Sequence, residues 1–248
     1  MNSDVTDLSS FYASPLGRKT HQLLQKAVVR LWPTLKGNTL LGVGFPFPFF
    51  EDCQQETDRT FVFMLEKHGV IHWPQFKPNA TTLVDPSFLP LPDCSVDRIF
   101  VIHALEFVDN THDFLSELWR ILDPGGKIII ITPNRRGIWA RLDRTPFGSG
   151  QPFSRSQLKD LLRGTNFSSD RWVETLFMPP FENRFLLRFA SLWEQIGGGV
   201  FLPFAGLHVV EVTKQLYRPI PVGIAQRVRK RSPVFLPVPR PATSIHKT

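Results

Sequence analysis

The stretch from residue 81 to 134 constrains the fold more than any other part of this chain. It reads, in order, TTLVD, PSFLPLPDCSVD, RIFVIHALEFV, DNTHDFLSELWRIL, DPGG and KIIIITPNRR. The apolar, β-branched runs predict buried strands ending near Asp85, His103 and Pro133. Between the second and third lies a predicted helix over about 111–122. Phe114, Leu115, Leu118, Ile121 and Leu122 form its apolar face, with Asp113, Glu117 and Arg120 away from it. Asp123-Pro124-Gly125-Gly126 has the chemistry of a type II turn, proline presetting φ and glycine taking the positive φ. Strand, helical crossover and parallel strand are the parts of an open α/β sheet, whose ligands bind at the carboxyl ends of the strands.

The flanking sequence extends this pattern. Leu16, Leu23, Leu24, Ala27, Val28 and Leu31 predict a helix over about 15–32, stopped by Pro33. Residues 38–43 read as a strand running into Gly42-Val43-Gly44, residues 60–65 as a second strand, and 66–80 as an irregular loop. Ser154 is a suitable N-cap for a helix over about 155–163. A strand near 171–177 follows, then one aromatic-rich helix over 184–195 ended by Gly197-Gly198-Gly199, and a last strand near 206–216. The division expected is a helical segment (1–36), one α/β domain (37–222) and a basic, proline-rich, disordered tail (223–248).

Composition narrows the class. With 248 residues and 42% hydrophobic content, the chain suits one α/β domain with appendages. It has no run of about 18 apolar residues, so no membrane-spanning helix is expected. MNSDVTDLSS lacks the basic start and apolar core of a signal peptide. Cys53 and Cys94 make neither a disulfide framework nor a metal set, so no metal is expected and a cytoplasmic location is the default. The net charge of +7 is partly local: Arg227, Arg229, Lys230, Arg231, Arg240 and Lys247 have no acid among them. Such a tail attracts RNA or an anionic surface, or is a solvated segment without a partner.

The run over about 38–134 resembles the class I S-adenosylmethionine (SAM)-dependent methyltransferases, in particular the type 11 group. The residues that carry the resemblance are Asp85 with Leu89-Pro90, then Asp97, then Leu105-Glu106, then Pro124-Gly125-Gly126. A looser similarity extends to about 217. The resemblance implies a three-layer α/β sandwich around a mainly parallel, seven-stranded, Rossmann-like sheet with an antiparallel last strand. It also implies SAM as cofactor and methyl transfer to an unidentified acceptor by in-line displacement. Asp85, with Pro86 beside it, would accept from the adenine amino group, although Asp before Pro is also a common turn. Leu105 would mark the cofactor edge of the fourth strand. Glu66, 22 residues past Gly44, stands near the spacing of the acid that holds the ribose. It also reads as a simple exposed acid.

The loop LLGVGFPFPFF departs from the family. Aligning Gly44 with the first glycine of Gly-x-Gly-x-Gly puts Gly42 at the expected acid and Pro46 and Pro48 at the later glycines. Proline adds bulk and donates no N–H, the opposite of what close approach to a ligand needs. Three readings stay open: a rebuilt loop that holds SAM with Phe45 and Phe47 against it, a lost pocket, or a different ligand.

His103, at the end of the fourth strand, is a candidate base or a lining residue. Asn134, Arg135, Arg136, Trp139 and Phe147 suit either the acceptor side of a cleft or a structural lid, and Gly148-Ser149-Gly150 suits a mobile loop. The 184–195 helix, apolar nearly all round, is either core or a partner interface such as a homodimer. HALE stands where amino-group methyltransferases of DNA bases often carry Asn-Pro-Pro-Tyr or Asp-Pro-Pro-Tyr. Methyl transfer therefore competes with two alternatives: a non-catalytic methyltransferase-like binding or regulatory protein, and an RNA-associated methyltransferase.

Overall fold

Two amphipathic helices open the chain in the computed structural model, which describes residues 4–51, 56–181, 183–199 and 204–216. The tail expected over 223–248, the domain limit at 222 and Cys53 lie outside the described residues. Helix α1 (Val5–Ala13) is capped by the Asp4 carboxylate, which accepts from the N–H groups of Thr6 and Asp7. Ser14 ends α1 and also starts α2 (Pro15–Leu31), its hydroxyl accepting from Gly17 N–H with Pro15 at the first turn. The expected helix over 15–32 is therefore present, and α1 adds a turn-linked cover before it.

The sheet strands are β1 (Thr39–Gly44), β2 (Arg59–Leu65), β3 (Thr81–Val84), β4 (Val96–Ile102), β5 (Leu122–Pro133), β6 (Phe167–Thr175) and β7 (Leu207–Lys214). The helices between them are α3 (Phe47–Phe50), α4 (Thr111–Ile121), α5 (Arg155–Gly164), α6 (Arg184–Leu187) and α7 (Ala190–Gly199). The strand order is β3-β2-β1-β4-β5-β7-β6. Neighbours β3, β2, β1, β4 and β5 pair parallel, while β7 is antiparallel to both β5 and β6. This is the mainly parallel seven-stranded arrangement the sequence implied. The order reverses between β1 and β4, so their carboxyl ends border a crevice.

Each central strand is covered on both faces. Leu40, Phe100 and Ile129 pack with α1, α2 and α3, whereas Leu41, Ile99 and Ile128 pack with α4 and α5. This two-sided burial explains the unbroken KIIIIT run. The Asp-Pro-Gly-Gly turn sits at the start of β5, where Gly125 takes φ +82° and pairing jumps from Val96↔Leu122 to Arg98↔Lys127. On the far side, buried Glu211 of β7 accepts from Arg171 of β6 (2.8 and 3.0 Å) and from the Trp32 indole (3.0 Å), with Lys127 at 3.3 Å. That network ties α2 to three strands.

Two expectations need correction. Strand β6 begins at Phe167, not near 171, because Asn166 in left-handed conformation (φ +61°) turns the chain directly from α5 into pairing with β7. The single helix over 184–195 is two short helices, with a turn at Arg188-Phe189 and with Gly197 inside the second helix. Gly197 is a contact residue rather than a stop: a Cβ there would lie 2.2 Å from the Phe177 ring.

Candidate functional site

The loop after β1 is built for packing. Gly44 (φ +93°) lies so close to β4 that a Cβ would stand 2.1 Å from the Ile102 carbonyl oxygen, and Phe45 N–H donates to that oxygen at 3.0 Å. A Cβ on Gly42 would stand 2.4 Å from Pro46 and 2.7 Å from Phe50. Both glycines therefore serve contacts within the chain. Pro46 starts α3, whose Phe47, Phe49 and Phe50 are buried under the sheet. The aromatic run FPFPFF thus turns into the core instead of arching as a donor-rich loop.

Beside this loop, β4 is followed at once by His103, which takes φ +52° and is fully buried. That non-glycine left-handed residue turns the chain into a tight bend, with Phe107 N–H donating to Ala104 O at 2.9 Å. His103 Nε2 is 2.9 Å from the Tyr12 hydroxyl of α1. Its Nδ1 is 3.7 Å from Glu106 Oε1, too long for a hydrogen bond. Burial, and then the nearby Glu106 carboxylate, push Tyr12 well above the usual phenol range. The Tyr12 hydroxyl therefore keeps its proton and can donate it to Nε2.

Aromatic rings close this centre. Tyr12 stacks on Phe45 at 5.8 Å, Phe147 lies 4.7 Å from the His103 ring, and Phe11 contacts Phe147 at 6.0 Å. Glu106 is 2% exposed, and among the described residues neither of its carboxylate oxygens has a hydrogen-bond partner. A buried carboxylate without hydrogen bonds is costly. Here its near neighbours are the His103 ring and the Tyr12 hydroxyl, whose proton it helps to hold. His68, buried just after β2, is lowered to about 4 by burial, then by His103 and Lys67, and is neutral near pH 7.

A second part of the crevice is open. A cavity of about 290 Å³ is lined by Leu65, Glu66 and Lys67 after β2, Asp85, Pro86 and Ser87 after β3, and Phe107 to Asn110 after β4. Two carboxylates, Glu66 and Asp85, thus stand at the ends of adjacent parallel strands beside an aromatic ring. One Asp85 oxygen accepts from Ser87 N–H at 2.8 Å, forming the turn expected before Pro86. The rim is held by Lys67, which donates to Asp109 at 2.8 Å and to Phe107 O at 3.0 Å.

The remaining candidates divide. Leu105 is buried among the side chains of α4. Asn134 donates to Ala205 O (2.8 Å) and accepts from Arg136 N–H (3.0 Å), and Trp139 donates to Met178 O (2.7 Å). Asn134 and Trp139 thus commit their polar groups to the chain, and Phe147 closes on His103. Arg135 and Arg136 are exposed. Phe45 lines a separate cavity of about 570 Å³ with Tyr12, Phe47, His72 and Trp73, among others, which shares no lining residue with the Glu66–Asp85 cavity. Sequence reasoning missed Tyr12 and the Phe107–Asn110 loop. Only the Asp4 and Ser14 caps of α1 could have signalled the first, and the second has no local signature.

Comparison with known proteins identifies the fold. Residues 69–130 match the type 11 family described as a methyltransferase domain. A probable SAM-dependent methyltransferase of Mycolicibacterium smegmatis is 45% identical over 47 residues, 19% of this chain and 18% of that protein's own length. A SAM-dependent methyltransferase structure from Thermotoga maritima superposes with a TM-score of 0.60 at 19% identity, covering 85% of this chain and 96% of that one. One from Archaeoglobus fulgidus gives 0.54 at 16% identity, covering 78% and 94%. The fold of the chain is that of the class I SAM-dependent methyltransferases.

Proposed function

We propose that this chain, which has the class I methyltransferase fold and matches the type 11 methyltransferase domain over residues 69–130, binds SAM and transfers its methyl group to an acceptor. The observation that carries this reading is the pairing of Glu66 and Asp85 in one cavity at the ends of β2 and β3. Glu66 would accept from a ribose diol, Asp85 from an adenine amino group, and the Phe107 ring would cover the base. SAM, when bound, supplies a methyl group activated by a positive sulfur. Proximity and alignment then account for most of the rate, and a base is needed only if the acceptor carries a proton. His103 has Nε2 engaged by Tyr12, so for it to take a proton Tyr12 must withdraw.

The aromatic filling beside His103 favours a second reading. In it the chain holds only a nucleoside moiety and serves as a binding or regulatory protein.

Titration with SAM tests the leading reading. Glu66→Ala and Asp85→Asn should each weaken binding roughly tenfold to a hundredfold, the loss expected for one charged hydrogen-bond acceptor. Asn at 85 still offers an oxygen to Ser87 N–H, so the turn and the thermal midpoint should hold. Unchanged affinity in both variants would remove the cofactor from this cavity.

A further inference from the structure

Helices α6 and α7 present an apolar stripe to solvent. Phe185 is 62% exposed, and Phe189, Leu192, Trp193 and Ile196 lie between 44% and 51%. Phe185 and Phe189 contact each other at 5.5 Å. The opposite side is fixed to the fold: Leu187, Ala190 and Gly197 are buried. Glu194 accepts from Leu176 N–H (3.2 Å), Phe177 N–H (2.7 Å) and the Thr175 hydroxyl (3.1 Å). The stripe is thus held outward by bonds on its inner face. Natural surfaces keep such clusters for a partner.

The surroundings say which partner. Leu187 and Arg188 share a groove with Pro15, Arg18, Lys19 and Gln22 of α2, so the two elements form one surface. From Pro15 to Leu31 there is no acidic residue, and from Asn183 to Gly199 the sole acid is the inward Glu194. Lys19, Lys26 and Arg30 form no ion pair among the described residues. Aromatic and aliphatic side chains on a helix, bordered by unpaired cations, are the pattern of a segment that lies in a lipid–water interface. A second copy of the same face would bring like charges together.

We propose that α6, α7 and the outer face of α2 form a docking surface for an anionic phospholipid bilayer, independently of methyl transfer. The hydrophobic stripe enters the headgroup boundary, and Arg18, Lys19, Lys26, Arg30 and Arg188 face the lipid phosphates.

The test is sedimentation of the full chain with vesicles of phosphatidylcholine alone or with a third phosphatidylglycerol. Partitioning should rise at least tenfold with the anionic lipid and fall as salt is raised. F185A/F189A/W193A and, separately, K19E/K26E/R30E should each reduce it about tenfold or more. Both sets replace surface side chains, and their thermal midpoints should stay near that of the parent. Brominated lipid should quench tryptophan emission in the parent and clearly less in Trp193→Phe. Equal partitioning on neutral and anionic vesicles would overturn the proposal. So would retained binding in both triple variants, or light scattering showing that the stripe is buried in a dimer that the first triple variant dissolves.

Discussion

Gly44→Ala should destabilise the protein by roughly 3–5 kcal/mol, whether or not a ligand is present. Two costs add. The residue has φ +93°, which an L side chain rarely adopts, and the new Cβ would meet the Ile102 carbonyl oxygen at 2.1 Å. Relief requires β1 and β4 to separate at their carboxyl ends, breaking the Phe45 to Ile102 hydrogen bond and disturbing His103. Urea denaturation measures the effect directly, and the same loss should appear with and without SAM. A variant as stable as the parent but unable to bind SAM would show instead that Gly44 is reserved for the ligand.

Acid should weaken the fold well before the carboxylates titrate. His68 and His208 are each 1% exposed and are lowered to about 4, chiefly by burial. His103 and Lys67 add to the effect at His68, and Arg155 at His208. Above the unfolded value of about 6.5 both are neutral in either state, and neither contributes. As pH falls below 6.5, the unfolded chain takes up protons that the folded chain refuses, so stability falls. The loss continues down to about pH 4 and reaches about 3 kcal/mol for each histidine. Unfolding free energies measured from pH 7 to 5 should therefore show proton uptake approaching two per molecule. His68→Phe and His208→Phe should each remove about one. A flat profile over that range would mean that the histidines are protonated in the folded state.

Much of this architecture was legible in the sequence because its determinants are local. The KIIIIT run needs cover on both faces, the Asp-Pro-Gly-Gly turn needs its glycine at positive φ, and Ser154 caps α5 with a reciprocal bond to Gln157. Glu66 and Asp85 could each be placed after a strand from sequence, but that they line one cavity came from the fold. What stayed hidden depends on contacts between distant segments. Tyr12 meets His103 across 91 positions, and nothing in FYAS signals it. The break at Arg188-Phe189 and the packing of Gly197 on Phe177 likewise depend on tertiary contact. Phe45 and Phe47 after Gly44 could be read as ligand walls or as signs of a lost pocket, and the burial of Phe47, Phe49 and Phe50 in α3 required the fold.

The most direct test of the methyl-transfer reading is parallel titration with S-adenosylhomocysteine and adenosine. S-adenosylhomocysteine should bind at least tenfold more tightly than adenosine, because methyl transfer requires the site to hold the amino-acid end as well as the nucleoside. Equal affinities would confine recognition to the Glu66–Asp85 cavity and contradict methyl transfer in favour of a nucleoside-binding protein.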